Sequence, residues 1–214
     1  PGCVSIDHQL VGIDQKSDRV KLIFNNQAEY ECDFVIGADG TRSAVRKSIL
    51  GNDEPEFSGY VAWRGVVPTD GLDESDFDEC GSCAFISPGR VFARYLIRDA
   101  KEYNYVAFLA TDEWAEEGWS IPSKVETVLE TFSDYNQQVK NIISATPPEG
   151  CYKWGIFTRQ PIAKWSSERV TLLGDAAHPL EPFMGQGASM AIEDGVVLGR
   201  IIEDASGFSE IIER

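Results

Sequence analysis

Two segments of the chain place glycines and charged side chains directly after a run of apolar residues. In the first segment, residues 33–46, the apolar run 34–36 leads to Gly37, Asp39, Gly40, Ser43 and Arg46. A carboxylate at the carboxyl end of a buried strand can accept hydrogen bonds from sugar hydroxyls, and a glycine lets the backbone approach a cofactor closely. Ser43 would cap the helix that follows, and Arg46 would pair with Asp39 or with a phosphate. An ordinary strand, turn and capped helix would have the same spacing, so both interpretations stay open.

The second segment has the same arrangement near the end of the chain. The strand-like run 169–173 leads to Gly174, Asp175, His178, Pro182, Gly185, Gln186 and Gly187. A helix is predicted from about Gln186 to Asp204, and the free N–H groups at its start form an electropositive pole. A reduced flavin carries negative charge near its N1 atom and C2 carbonyl, so such a pole would stabilise it.

Strand-like runs dominate the residues between these two segments. The predicted strands of the chain are 19–24, 29–36, 60–67, 82–86, 90–97, 104–109, 152–159 and 169–173. Residues 43–50 and 123–144 have helical spacing. Strand and helix segments at both ends therefore bracket a mainly antiparallel middle, which indicates an α/β (α+β) fold. We expect a partial Rossmann-like layer from residues 1–54 and 166–214, and an inserted, mainly antiparallel substrate-binding sheet from residues 55–165.

Composition and charge exclude several classes of partner. The chain has 214 residues, of which 43% are hydrophobic, and a formal net charge of -16. Such a surface repels phosphate backbones, so nucleic acid is not an expected partner. No stretch approaches the length of a transmembrane segment. The five cysteines are scattered, as in reduced cytoplasmic proteins, and Cys80 and Cys83 lack the further ligands that a metal site would need.

Taken together, the two segments resemble the group A FAD-dependent aromatic-ring monooxygenases. The likeness is to the salicylate hydroxylase and 6-hydroxynicotinate 3-monooxygenase type. Residues 33–46 are similar to the family motif D-x3-G-x-D-G-x2-S-x2-R, with every defined position filled. Residues 174–187 are similar to its Gly-Asp motif and the P-x2-G-Q-G that follows. The pair of motifs, about 130 residues apart, is far more specific than either motif alone.

The resemblance implies a cofactor and a reaction. Asp175 would hydrogen-bond the ribityl chain of FAD, the loop 182–187 would lie along the isoalloxazine ring, and Asp39 would lie where FAD and NAD(P)H approach. The full set of implied cofactor-binding residues is Asp39, Gly40, Arg46, Gly174, Asp175, Pro182, Gly185, Gln186 and Gly187. NAD(P)H would reduce the flavin, O2 would be captured as a flavin C4a-hydroperoxide, and a small phenolic or N-heteroaromatic ring would be hydroxylated. His178 is a weak candidate for the catalytic base, since in this family it is mostly structural.

Aromatic residues of the middle region have two interpretations. The candidates for a substrate pocket are Trp63, Phe85, Phe92, Tyr95 and Phe108. Such residues can line a pocket for an aromatic ring, or they can form the core of the sheet.

The sequence also departs from the family pattern. It lacks the G-x-G-x-x-G that would bind the pyrophosphate of FAD, so we expect an internal fragment, completed by an N-terminal portion or present as a homodimer. A non-catalytic fragment with an incomplete FAD site is the alternative. A second alternative is another flavin enzyme such as a halogenase, because Trp119-Ser-Ile-Pro122 is similar to the tail of the halogenase motif W-x-W-x-I-P. Glu117 breaks that match.

Overall fold

The computed structural model describes residues 2–16, 18–51, 53–73, 76, 81–112 and 120–213. Its strands are β1 (Leu10–Gln15), β2 (Val20–Phe24), β3 (Glu29–Cys32), β4 (Val35–Gly37), β5 (Glu56–Pro68), β6 (Ser82–Ser87), β7 (Arg90–Ile97), β8 (Glu102–Ala110), β9 (Ile121–Pro122), β10 (Tyr152–Thr158), β11 (Ser166–Ser167) and β12 (Val170–Leu172). Its helices are α1 (Ala44–Leu50), α2 (Val125–Thr131), α3 (Gln137–Ser144), α4 (Gly187–Asp204) and α5 (Phe208–Glu213). The chain divides into two compact units, residues 1–56 with 157–214, and residues 57–156.

The first unit contains two small sheets. Strands β1, β2 and β3 form an antiparallel meander, while β4 pairs in parallel with β12, which in turn pairs with β11. The predicted strand 29–36 is therefore two strands in different sheets. The change occurs at residues 33–34, because the Val35 N–H donates to the carbonyl oxygen of Arg169 (2.9 Å) and so begins the ladder with β12.

The second unit is built on a six-stranded sheet of order β6-β7-β8-β5-β10-β9. The β6–β7, β7–β8, β5–β8 and β9–β10 pairs are antiparallel, so the predicted α/β fold with a mainly antiparallel sheet is confirmed. Residues 123–144 form two helices instead of one continuous element. Asn136 separates them, because its side-chain oxygen accepts the Val139 N–H (3.0 Å) and caps α3.

Helices α2 and α3 pack against one face of this sheet. Phe92 and Tyr105, from β7 and β8, are fully buried and stack with ring centroids 5.1 Å apart. A side chain at Gly65 would overlap the Tyr105 ring, so only glycine fits opposite this residue. Burial raises the pKa of the Tyr105 phenol well above its ordinary value, although a hydrogen bond with Thr146 opposes the shift.

In the part of the chain that the structure describes, neither a membrane span nor a metal site is indicated. None of its helices combines the length and apolarity needed to cross a bilayer. No group of three or more His, Cys, Asp or Glu side chains in that part is arranged to hold a metal ion. Cys83 is a free thiol, while Cys80, Glu117 and Trp119 lie outside the described residues.

Candidate functional site

Asp39 determines the start of α1. Its Oδ2 accepts the N–H groups of Ala44 (2.7 Å) and Val45 (3.2 Å), and its Oδ1 accepts the Ser43 hydroxyl (2.5 Å). The Ser43 Oγ accepts the Arg46 N–H (2.8 Å), which is the predicted cap. Gly40 has a φ of +78° and open space at the position of a Cβ, so a side chain here would strain the backbone without meeting a neighbour.

Arg46 connects the first motif to the second. Its side chain is fully buried, and its guanidinium donates to the carbonyl oxygens of Ala176 (3.2 Å), Ala177 (2.7 Å) and Gln160 (3.1 Å). Its ion-pair partner is Asp53, whereas the sequence had offered Asp39 or a phosphate. The donors of Arg46 thus hold the backbone of the second motif in place.

The second motif begins where β12 ends. Gly174 has a φ of +59°, and a Cβ on it would lie 3.1 Å from the Cβ of Ala191 on α4. The chain then makes a 3-10 turn, in which the N–H groups of Ala177 (2.8 Å) and His178 (2.9 Å) donate to the Gly174 carbonyl oxygen. Glycine is needed here for both the left-handed backbone and the close approach of the helix.

Asp175 lies beside the start of α4. Its side chain is exposed, and its Oδ1 lies 3.8 Å from the position that a Cβ on Gly187 would occupy. No hydrogen bond or ion pair links its carboxylate to any other residue that the structure describes. The carboxylate is therefore available to accept hydrogen bonds from a ligand next to the helix terminus.

The loop before α4 is exposed at each residue from 180 to 186. Residues Pro182–Met184 form a 3-10 turn that ends at Gly185, which adopts the left-handed conformation with a φ of 64°. Gln186 precedes α4, but its side chain makes no capping hydrogen bond. The first N–H groups of an uncapped helix are donors without an internal partner. This exposed loop can therefore offer donors to an acceptor-rich ring while Asp175 accepts hydroxyl protons, which fits a flavin and its ribityl chain.

His178 anchors this loop to α4. Its Nε2 lies 2.6 Å from Oδ2 of Asp194, which also accepts the Gly174 N–H (2.9 Å). The imidazole ring of His178 packs against the ring of Trp165, with centroids 4.9 Å apart. Asp194 was missed as a site residue from sequence, although its position seven residues after Gly187 on a helix places both near one face. The geometry gives His178 a positioning contact within the motif.

The five predicted pocket residues do not share one face of the sheet. Trp63, Phe85 and Phe92 pack with the helix-covered core. Phe108 belongs to a second cluster with Ala62 and Ile156 on the opposite face. Tyr95 pairs with Asn104 on the same side as Phe108, and it is 45% exposed. The sheet-core interpretation thus suits the first three residues.

A cavity of about 510 Å³ also occurs in the first unit, between β12, α4 and α5. Its lining includes Glu193, Asp194 and Glu213 but neither Asp175 nor the loop 182–187. Three carboxyl groups would repel an anionic cofactor, so the exposed loop is the better candidate site.

Comparison with known proteins gives relatives along nearly the whole chain. A model of the family described as "FAD binding domain" matches residues 3–206. The 3-amino-4-hydroxybenzoate 2-monooxygenase of Streptomyces platensis is 36% identical over 202 residues, which cover 94% of this chain and 50% of that protein. The 6-hydroxynicotinate 3-monooxygenase of Bordetella bronchiseptica is 37% identical over 205 residues, covering 94% and 52%. The chain thus spans about half the length of these relatives.

Solved structures share the fold. Klebsiella pneumoniae HpxO, determined with FAD and uric acid, has a TM-score of 0.83 and 25% identity, covering 96% of this chain and 52% of that one. A salicylate hydroxylase substrate complex has a TM-score of 0.82 at 24% identity, covering 97% and 55%. The second likeness concerns the fold alone.

Proposed function

The chain belongs to the FAD-binding domain family, and from that premise we propose that it supplies part of the flavin site and the substrate sheet of an aromatic-ring monooxygenase. The observation that carries the proposal is the position of Asp175. A free, exposed carboxylate lies beside an uncapped helix start, within a motif that the sequence had associated with a flavin. This arrangement offers acceptors for hydroxyl groups and donors for a ring at one place.

Each motif residue has a distinct proposed role toward FAD. Asp175 accepts hydrogen bonds from the ribityl hydroxyls, and the loop from Pro182 to Gly187, with Gly185 and Gln186, directs backbone N–H groups at the pyrimidine edge. Gly174 allows the turn that brings Asp175 to α4. When bound and reduced by NAD(P)H, the flavin would supply the activation of O2.

The first motif acts on the cofactor site mainly through the backbone. Asp39 and Gly40 shape the turn before α1, and an exposed Asp39 remains available to the cofactor region. Arg46 holds the carbonyl oxygens of Ala176 and Ala177, the two residues that directly follow Asp175. We assign Arg46 to cofactor binding in this indirect sense, since its guanidinium is buried within the chain.

The proposed substrate is a small aromatic acid. The named relatives act on a hydroxybenzoate and a hydroxynicotinate, both of which are aromatic carboxylates. We propose that this protein hydroxylates such a ring with O2 and NAD(P)H, that residues 55–165 bind it, and that residues 1–54 and 166–214 serve the flavin. A cytoplasmic location, and a homodimer or a complementing N-terminal portion, stay predictions.

A flavin titration of the complete gene product tests the proposal. We expect the visible absorbance of FAD to shift on binding, and NADH or NADPH to be oxidised when an aromatic acid is added. Mass spectrometry of the product should show the gain of one oxygen atom, derived from labelled O2. If circular dichroism shows a folded protein and the titration shows no FAD binding, the non-catalytic alternative holds instead. A chlorinated product without hydroxylation would identify a halogenase.

A further inference from the structure

One face of the six-stranded sheet carries an arginine among apolar and aromatic side chains. We call it the Phe108 face and define it by Ala62, Arg64, Val106, Phe108, Trp154 and Ile156. Five of these residues belong to one apolar cluster. The sixth, Arg64, is directly opposite Val106 in the register of β5 and β8, so both side chains point to this face.

The guanidinium of Arg64 lies over an aromatic ring, and its surroundings in the described residues contain no ion-pair partner. Its guanidinium carbon lies 5.9 Å from the centroid of the Trp154 ring, within the range of a cation–π contact. Its side chain is exposed, and no carboxylate among the described residues forms an ion pair with it. The chain has 35 acidic residues and 19 basic ones, so carboxylates are abundant around it. Arg46 and Arg90, by contrast, are each paired with an aspartate.

The chemistry of this arrangement favours a carboxylate ligand. A guanidinium that lies over an indole ring can keep N–H groups available for a ligand, and two parallel N–H donors match the two oxygens of a carboxylate. The half-buried side chains of Val106 and Trp154 offer apolar contact for an aromatic ring attached to that carboxylate, over a buried base that includes Phe108. A neutral ring would gain the apolar contact but not the charge-assisted hydrogen bonds.

We propose that Arg64 binds the carboxylate of an aromatic acid substrate and that Trp154 holds the guanidinium in position. Arg64 thereby selects aromatic carboxylates over the corresponding neutral rings. The inference rests on the proposed function, since it names the substrate class of the same enzyme. It assigns specificity to a residue that neither flavin motif contains.

Matched ligand pairs test this role in the complete gene product loaded with FAD. The probes are 3-hydroxybenzoate with 3-hydroxybenzamide, and 6-hydroxynicotinate with 6-hydroxynicotinamide, each measured by isothermal titration calorimetry. For at least one pair, we expect the carboxylate to bind about tenfold or more tightly than its amide, and Arg64→Met to remove this preference. Arg64→Lys, which keeps the charge without the planar fork, should retain part of it. Arg98→Met removes an exposed arginine paired with Glu102 and should change neither affinity.

Each outcome separates the two proposals. Loss of carboxylate affinity in Arg64→Met, with amide affinity retained, supports the role of Arg64. An equal change for both ligands, or no preference in the unmodified protein, overturns it. Hydroxylation of a neutral ring with no carboxylate preference would overturn the Arg64 assignment while leaving the monooxygenase proposal intact. Carboxylate binding through Arg64 in a protein that never oxidises NAD(P)H would support the Arg64 assignment and overturn the monooxygenase proposal.

Discussion

The guanidinium of Arg46 donates a 2.7 Å hydrogen bond to the carbonyl oxygen of Ala177, which lies 131 residues further along the chain. The same side chain reaches Ala176 and Gln160 and forms an ion pair with Asp53. One buried residue of α1 therefore joins this helix to the turn after β12. The geometry of the second motif depends on a side chain of the first.

The hydrogen bonds and the ion pair of Arg46, which we call the Arg46 clamp, should stabilise the fold. Arg46→Ala leaves the buried carbonyl oxygens of Ala176 and Ala177 without their donor and removes one of the two arginines that pair with Asp53, the other being Arg159. We therefore expect the free energy of unfolding to fall by about 3 kcal/mol. Urea denaturation followed by circular dichroism measures the change. The neighbouring Lys47→Ala is the control, because its exposed pair with Glu54 should contribute less than about 1 kcal/mol. Equal losses in the two variants would contradict the clamp.

Asp175 should be required for flavin affinity. Asp175→Ala removes an acceptor beside the start of α4, and we expect the dissociation constant for FAD to rise about tenfold or more, the effect of a lost charge-assisted hydrogen bond. Quenching of flavin fluorescence on titration measures it. Glu203→Ala removes an exposed acid from the same helix and serves as the control. An unchanged FAD affinity in Asp175→Ala would refute the assignment.

His178 should act by positioning the loop. His178→Ala removes the contact with Asp194 and should lower the free energy of unfolding by about 1–3 kcal/mol. The kcat of the FAD-saturated enzyme should stay within about threefold, whereas loss of a general base costs roughly a hundredfold or more. Asp194→Ala should destabilise further, because Gly174 then also loses an acceptor.

A hundredfold fall in kcat with unchanged stability would reverse this view of His178. It would return the residue to the role of catalytic base that the sequence had left open. Chemical denaturation and steady-state kinetics on the same preparation separate the two outcomes.

Gly65 should not tolerate a side chain. A methyl group there would overlap the buried Tyr105 ring, and overpacking of this kind costs about 1–3 kcal/mol. Thermal or urea unfolding of Gly65→Ala measures the loss. Gly71→Ala is a matched control, because nothing lies within 4 Å of its Cβ position, and its effect should remain within about 0.5 kcal/mol. Similar effects at both glycines would count against the close packing.

The family and the fold class were predictable because they depend on short sequence motifs and on the spacing of neighbouring residues. The strand, glycine and capped-helix pattern of residues 33–46 is confirmed by β4, Ser43 and α1. Membership of the FAD-binding family is confirmed by the match over residues 3–206. These features depend on residues that are neighbours in the sequence.

Long-range relationships were not predictable in the same way. The predicted strand 29–36 gave no sign that Cys32 and Val35 belong to different sheets, because that depends on pairing with distant β12. Trp63 and Phe108 were grouped as one pocket, although apolar side chains cover both faces of the sheet and alternation no longer separates the faces. The Asp53 partner of Arg46 likewise depends on how the turn after α1 folds back.

The bonds from Arg46 to Ala176 and Ala177 end on backbone oxygens, which every residue type possesses. Evolution can therefore exchange those two alanines for other small residues without breaking the clamp, whereas Arg46 has no equivalent substitute. The bonds also bypass the whole intervening sheet. Substitutions between residues 57 and 156 therefore leave the two motifs joined, because none of the partners of Arg46 lies in that range.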